Sequence, residues 1–480
     1  MRRTSHAVLV FVLAASSGQA DSQIALGRRA ASPESPPPIV TIARVSRESP
    51  YSPGDCGDDA TQYGYETDPS FTVSPQGLIA AWEQDTYNDM PGAVVGYSRD
   101  RGVTWNEVVP PSPASCQSQP PPYGSGVWEP ALAVDGLGTV VMVIGNGGPS
   151  PTFFASASHD GGASWSQPTG IQVATGQLMT GPVKLVVDPS DPSSAGFAWI
   201  SHQPPDAVWF ARSGDEGASW SIGTPVHLAP PGMIVYRDTP FAFSNGMLLD
   251  VATDISYLDL PVGPSDKNLI GAPHDVVAAR SSDHGLTWTE MTIANLSPAG
   301  FSAGETLGPD GSVYVLISDG AGPNQTWRII RSTDGGVSWQ QFGRDVPVPN
   351  NALPTFGDLS GANLATVGFA VADDGTIGVL YDEARTLVPD DPKLTTDVWL
   401  TYSRDGAQSW TDVHLAGPFD ANALPASAPK LGDYQVLKPV DGGFGALFFL
   451  GPCTAEPSES CPATTDGPTD VYFARIAFPQ

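Results

Sequence analysis

Acidic side chains stand at the start of several short apolar segments of this chain, and their type suits them to chemistry. Glu66 and Asp68 precede one such segment, Glu129 precedes the next, and Glu305 opens a later one. Two neighbouring carboxyl groups can act as general acid and general base when their surroundings hold them in different protonation states. If the fold brings these positions together, they form an acid-rich site for acid–base catalysis.

Aromatic and basic side chains occupy comparable positions, before or after the apolar segments. Trp82 and Trp128 offer apolar ring faces against which a sugar can pack. Arg237 and Arg385 either bind a ligand or form salt bridges to adjacent carboxylates. The candidate substrate-binding residues are Arg237, Asp238, Arg385, Trp128, Trp82 and Asp433.

The elements that must position these residues are repeated along the chain. The motif Ser-x-Asp-x-Gly-x-Ser/Thr-Trp recurs at intervals of roughly 50 to 70 residues, and a search for internal repeats takes precedence over local predictions. In the sixth copy Ala407 stands where the glycine belongs, and Gly406 comes one place early. The copies occupy residues 98–105, 158–165, 213–220, 281–288, 332–339 and 403–410.

Each copy follows an alternating apolar segment, and this period of two predicts a β-strand. The motif is then a turn between strands, in which Asp and Ser bond backbone amides and glycine supplies a positive φ. A second turn signal and a third strand each occur seven times, but the last repeat lacks its outer strand. Residues 39–44 can supply that strand and close a ring, which removes exposed sheet edges. We predict an all-β, seven-bladed β-propeller, with six blades as the alternative.

The six motifs resemble Asp boxes (BNR repeats), and residues 39–480 resemble a bacterial member of the sialidase superfamily of propellers. The resemblance implies that the motif turns hold the blades together on the face opposite a substrate funnel. The long loops and the starts of the first strands then surround that funnel. Asp boxes also occur in xyloglucanase-like hydrolases, sorting receptors and photosystem assembly factors, so the resemblance specifies a fold more than a function.

The resemblance also implies catalytic roles for three residues. Tyr434 resembles the family's nucleophile, Glu305 the base that activates it, and Asp85 the acid/base. The family's three-arginine clamp for the substrate carboxylate has no clear counterpart. Few arginines lie outside the motif strands and turns, and Arg44 and Arg475 are predicted in outer strands.

The charge of the chain limits its partners. There are 51 acidic and 22 basic residues, for a formal net charge of -29. Such a surface does not neutralise nucleic-acid phosphates, so we expect no nucleic-acid partner. An acidic funnel favours neutral or amino sugars, and an anionic substrate would need a local cationic cluster.

The N-terminus resembles an export signal. Arg2 and Arg3 precede an apolar run over residues 7–15, and Gly18 and Ala20 are placed as at a cleavage site. Residues 1–20 are therefore predicted to be a signal peptide and residues 21–38 a Pro/Ser-rich spacer. We expect a secreted or periplasmic protein without a membrane span.

Four cysteines in an exported chain permit two disulfides. Cys453 and Cys461 are close in sequence and are expected to pair, which leaves Cys56 for Cys116. No C-x-x-C motif occurs, so neither a zinc site nor a redox site is predicted.

Other chemistries have weaker signals. His202 and His274 lie in predicted upper loops, where a polysaccharide lyase could use one as its base. Two acidic pairs could bind Ca²⁺ or could be solvated turn residues. These pairs are Asp373 with Asp374 and Asp390 with Asp391. No cofactor and no required metal are predicted.

Two functions remain open. The first is a secreted glycoside hydrolase that acts on a glycan or polysaccharide in the funnel, with exo-sialidase activity as its most specific form. The second is a non-catalytic propeller that binds glycans or proteins through the same loops, which the missing arginine clamp favours. A monomer is expected in either case.

Overall fold

The structure is a computed structural model, and its regular elements are all β-strands in the residues that it describes. Residues 1–35, which include the predicted signal peptide and most of the spacer, lie outside the description. The described residues are 36–50, 66–84, 92–111, 127–146, 153–171, 173, 183–189, 191–201, 206–243, 245–256, 273–298, 300–320, 325–349, 367–384, 394–421, 435–454, 458–462 and 469–479.

The strands form seven antiparallel four-stranded sheets, which are the blades of the propeller. Within each blade, hairpins join neighbouring strands from the axis outward. The strands of blades 1 to 3 are β2 (Glu66–Ser74), β3 (Gly77–Gln84), β4 (Gly92–Ser98), β5 (Asn106–Val108), β6 (Val127–Val134), β7 (Val140–Asn146), β8 (Phe153–Ser158), β9 (Thr169–Ile171), β10 (Val183–Val186), β11 (Ala195–Ser201), β12 (Ala207–Ser213) and β13 (Thr224–Leu228).

Blades 4 to 7 continue the same order, and only the last takes its outer strand from elsewhere in the chain. Their strands are β14 (Met233–Ala242), β15 (Leu248–Ser256), β16 (His274–Ser281), β17 (Thr289–Leu296), β18 (Phe301–Leu307), β19 (Val313–Asp319), β20 (Thr326–Ser332), β21 (Gln340–Phe342), β22 (Gly368–Val371), β23 (Ile377–Ala384), β24 (Thr395–Ser403), β25 (Thr411–Asp420), β26 (Val436–Val440), β27 (Gly443–Leu450), β28 (Asp470–Ala477) and β1 (Ile39–Arg44).

The ring closes through the first strand of the chain. β1 pairs with β28 from Ile39 opposite Ala477 to Arg44 opposite Tyr472. The first strands of successive blades contact one another around the axis, and β2 also contacts β26. The prediction of seven blades is therefore confirmed, and the six-bladed alternative is wrong.

Apolar side chains pack between neighbouring blades. Trp82 and Phe71 of blade 1, for example, pack with Leu447 and Phe473 of blade 7. The alternation of the strands explains this arrangement, because each blade presents one set of side chains to the blade before it and the other set to the blade after it. The interior of the molecule is thus a ring of inter-blade cores.

The six motif turns share one hydrogen-bond pattern, as predicted. In the fifth turn, Asp334 accepts bonds from the backbone N–H of Ser338 and from its hydroxyl. The fourth and fifth motif positions both have positive φ, and Gly406 and Ala407 adopt this conformation at 71° and 62°. The sixth turn therefore keeps the motif geometry despite its alanine.

The predicted disulfide between Cys453 and Cys461 is present. Cys56 and Cys116 lie outside the described residues. Within the described part of the chain, no helix has the length and apolar character needed to cross a membrane.

Candidate functional site

A cavity of about 210 Å³ lies where the first strands surround the axis. Every blade contributes to its lining through its first strand or the residue just before it. Acidic side chains reach it from three blades and lysines from two. These five residues are Asp68, Glu129, Glu305, Lys184 and Lys438.

Two of the acids occupy β-bulges. The register of β2 against β3 shifts between Thr67 and Ser70, and that of β6 shifts between Trp128 and Ala131. Asp68 and Glu129 lie within these shifts with φ of 51° and 46°. A bulge changes the direction of a side chain and bends the strand. The sequence carries a signal for it, because both acids precede a proline, which cannot donate to the ladder.

The second bulge is held by blade 1. The backbone N–H of Glu129 donates to Glu83 at the end of β3, and the Thr67 hydroxyl donates to the same carboxylate at 3.4 Å. Glu83 is nearly fully buried. Its carboxylate therefore positions Glu129 at the cavity.

Glu305 is fixed through one oxygen. The Thr239 hydroxyl of blade 4 donates to Glu305 Oε2 at 2.9 Å. Oε1 is buried and has no hydrogen-bond partner among the described residues. Glu305 therefore lines the cavity with one oxygen held and the other able to accept a proton.

Asp382 adds a carboxyl group of a different kind. It lies near the end of β23 and hydrogen-bonds the side chain of Gln435, which lines the cavity. Burial raises the pKa of Asp382 to about 7, although the bond to Gln435 lowers it. A carboxyl group with such a pKa can donate a proton near neutral pH.

Lys438 and Lys184 are functional candidates that the sequence analysis missed. Burial lowers the pKa of Lys438 to about 8, and the charge of Lys184 lowers it further in the same direction. The Lys438 ammonium has no hydrogen-bond or ion-pair partner in the described part of the chain. The available signal was a lone lysine inside two of the predicted first strands, Lys184 in β10 and Lys438 in β26. The cavity is therefore less uniformly acidic than the sequence suggested.

Asp238 lies away from the cavity lining. It is 1% exposed, as is Asp250. Burial raises the pKa of Asp250 well above its usual value, and the charges of Asp238 and Glu305 act in the same direction. These two aspartates form a buried acidic pair beside the site, so the burial of Asp238 argues against direct contact with a substrate.

The prediction that Trp82 packs against a sugar is wrong. Its side chain is fully buried in the core between blades 7 and 1, and its indole N–H donates to Gln84 Oε1 at 3.0 Å. Trp82 therefore has no free ring face. The sequence could not distinguish this inward position from the outward one beside it.

For several predicted site residues, the structure does not describe the side chain. Tyr434, Asp433, Asp85 and Arg385 lie outside the described residues, as does His202. Trp128 lies in β6 and Arg237 lies in β14. The structure describes the backbone of these two residues but not their side chains.

His274 is not placed as a lyase base. It begins β16, is 1% exposed, and its Nδ1 bonds the carbonyl oxygen of Gly300 at 2.6 Å. A polysaccharide cannot reach this ring.

The acidic pair of blade 6 lies in a turn. Asp374 accepts a bond from the backbone N–H of Thr376 and lies 3.8 Å from Arg404. Asp390 and Asp391 lie outside the described residues. In the part of the chain that the structure describes, no three His, Cys, Asp or Glu side chains form a group that could hold a metal ion.

Of the comparisons with known proteins, only the one with solved structures finds a likeness. No protein-family model matches the chain, and no curated protein matches it. Among solved structures, an ulvan lyase of polysaccharide lyase family PL25 has a TM-score of 0.53 at 10% identity, covering 86% of this chain and 94% of the lyase. The endosialidase of phage phi92 has a TM-score of 0.49 at 11% identity, over 92% of this chain and 69% of its own. The Trypanosoma rangeli sialidase has a TM-score of 0.44 at 14% identity, over 91% and 58%. At 10% identity, the likeness to the ulvan lyase shows that the chain shares the β-propeller fold.

Proposed function

We propose that this protein is a carbohydrate-active propeller that hydrolyses a glycosidic bond in the axial cavity. The ulvan lyase of the same fold acts on a polysaccharide, and a cavity lined by carboxyl groups suits acid–base cleavage of a sugar chain. We also interpret the six motif turns as Asp boxes, because they share their hydrogen bonds as well as their sequence.

The geometry of Glu305 carries the proposal. Thr239 fixes one carboxylate oxygen, and the other is buried without a hydrogen-bond partner among the described residues. A base that activates a nucleophile needs this arrangement, in which the orientation is fixed and one oxygen can accept a proton. Tyr434, which lies outside the described residues, is the proposed nucleophile because its position in the sequence resembles that of the sialidase nucleophile.

The proposed acid is one of two aspartates. Asp85 follows from the resemblance to sialidases, and Asp382 follows from its pKa of about 7 and its bond to Gln435. If Asp382 is the acid, kcat/KM falls as the pH rises through about 7, because the carboxyl group must be protonated to donate.

The proposed substrate is a sugar, and the two lysines that line the cavity allow it to carry a negative charge. Lys438 has no partner in the described residues, so its ammonium can meet a substrate carboxylate in place of the missing arginine clamp. This observation keeps exo-sialidase activity within the proposal, together with hydrolysis of uronic polysaccharides. The disulfide and the predicted N-terminal signal peptide support export. We propose a monomer, since one chain completes the ring.

The test is mass spectrometry of products after incubation with sialoglycans and with neutral and uronic polysaccharides. We expect the wild type to release sugar from one substrate class. Glu305→Gln and Tyr434→Phe should lower kcat by about 10²- to 10⁴-fold while substrate binding is retained. Asp85→Asn and Asp382→Asn identify the acid, because only its replacement removes the alkaline fall in rate.

The matched control is Glu216→Gln, which changes a carboxylate within the third motif turn, away from the axial cavity. It should leave kcat unchanged. Absence of products with every substrate, with binding retained, would instead support the non-catalytic glycan-binding propeller.

A further inference from the structure

A second cavity, of about 400 Å³, lies away from the axis. Blade 3 contributes most of its lining: the connection from β10 to β11, the strand β12, and the motif turn that follows β12. Leu248 and His284 of blade 4 complete it. A volume of 400 Å³ lies within the range of small-molecule sites, which is about 300 to 1,000 Å³.

Two departures from the repeat create this cavity. The connection between β10 and β11 spans the eight residues 187–194, whereas the corresponding connection has two to five residues in the other blades. It brings Asp188, Asp191 and Ser194 to the cavity. A longer connection on a rigid scaffold is a common way to build a binding site.

The second departure is Gly214, at the second position of the motif. In blades 1, 2 and 6 this position holds Arg99, His159 and Arg404. Arg99 bonds turns of blades 1 and 2, His159 lies close to the motif turn of blade 3, and Arg404 lies close to a turn of its own blade. A Cβ added at Gly214 would meet no atom within 4 Å. Blade 3 is thus open where blades 1, 2 and 6 carry a long side chain that contacts a turn.

The lining combines donors, acceptors and an aromatic ring. The Arg212 guanidinium has no partner in the described residues. Asp191 accepts bonds from Ser193 through Oδ1 alone, and His284 Nδ1 lies 2.9 Å from Asp188. Trp220 lines the same space and is only partly buried.

We propose that this cavity binds a single pyranose ring of a glycan, at a site separate from the axial one. A guanidinium beside a carboxylate can bond neighbouring hydroxyls, while an indole packs against the apolar face of the ring. The carboxylates of Asp188 and Asp191 oppose a phosphate, and an apolar ligand would leave Arg212 desolvated without a partner. The site does not depend on whether the axial cavity is catalytic.

The test uses Gly214→Arg, which supplies the side chain found at this position in blades 1 and 6. Amide hydrogen exchange is measured with and without the methyl glycosides of glucose, galactose, mannose and N-acetylglucosamine at 50 mM. We expect at least one glycoside to slow exchange in residues 187–196 and 212–221 of the wild type. In Gly214→Arg this protection should be lost.

The matched control is Thr333→Arg, which places the same side chain at the same motif position in blade 5. It adds the same charge outside the cavity and should keep the protection. No protection with any of the four glycosides, or equal protection in Gly214→Arg, would overturn the proposal. Hydrolysis at the axis is measured separately, so its failure would not affect this result.

Discussion

His227 is a buried histidine that contacts two carboxylates, one at each ring nitrogen. Nε2 lies 2.8 Å from Asp254 and Nδ1 lies 3.0 Å from Glu290. Burial lowers the pKa of His227, but the bonds and charges of the two acids outweigh it and raise the pKa above its usual value. Because His227 belongs to blade 3 and both acids to blade 4, the charged ring connects the two blades.

We therefore expect this contact to stabilise the fold more at low pH. A raised pKa in the folded state means that the contribution is fully present below pH of about 6.5 and is lost as the pH rises through the folded pKa. His227→Asn should lower the free energy of unfolding by about 2 kcal/mol at pH 5.5, and by less at pH 8.5. Urea unfolding at both pH values measures the difference.

The control for that prediction is His159→Asn, since the His159 side chain is 70% exposed and lies 3.5 Å from Glu216. Its effect should stay within about 0.5 kcal/mol at both pH values. An equal loss for His227→Asn at the two pH values would contradict the charged contact.

The sequence located some site residues and missed others for a physical reason. Asp68, Glu129 and Glu305 were found because acids stand out at the start of apolar strands. Lys184 and Lys438 lie inside such strands, where a lone lysine suggests an edge or surface position. Which of two adjacent positions faces the axis depends on the register and its bulges, and these form only when the blades pack.

At the scale of elements, the sixth motif turn differs from the other five in its hydrogen bonds. In the first five turns the Trp indole N–H donates to the carbonyl of the motif glycine. In the sixth, the Ala407 carbonyl accepts the backbone N–H of Arg344 at 2.7 Å. Trp410 Nε1 has no partner among the described residues. The alanine thus coincides with a different contact between blades 5 and 6.

Gly343 makes this contact possible. It has φ of +70°, and a Cβ there would lie 2.3 Å from Ala407 Cβ and 2.7 Å from its carbonyl oxygen. Gly343→Ala should destabilise the protein by about 3 kcal/mol, since it combines a left-handed alanine with a clash against backbone. Thermal unfolding measures the loss.

Gly375→Ala is the matched control, because Gly375 has φ of +83° but an added Cβ meets no atom within 4 Å. It should cost about 1 kcal/mol, the strain of the backbone alone. Equal losses for the two variants would show that the contact with Ala407 contributes nothing.

The repeated elements were the most predictable part of the molecule. A turn that recurs six times with a strand before it specifies the blade independently of any single strand. The connection between β10 and β11 was predictable as a turn, but the cavity beside it was not. That cavity depends on two distant features: Gly214 has no side chain, and the neighbouring blade contributes His284. A local sequence pattern cannot show that the two lie together.

At the scale of the whole molecule, the ring is held closed by a strand from the other end of the sequence. β1 pairs with β28, so the third strand of blade 7 is not an exposed edge. Val45, the residue that follows β1, packs in the core between blades 7 and 1. The backbone N–H of Val45 also donates to the carbonyl of Val471 at 2.8 Å. The N-terminal segment therefore belongs to the last blade and supports the first.

Removal of this strand should open the ring. A chain that begins at residue 46 lacks all six residue pairs between β1 and β28, and β28 becomes an exposed edge. We expect its melting temperature to fall and the protein to aggregate, because an unpaired edge strand pairs with other chains. A chain that begins at residue 36 keeps β1 and should match the full-length protein in thermal unfolding and in light scattering. Equal behaviour of the two truncated chains would mean that the blades hold the ring without the closing strand, since packing around the axis would then suffice.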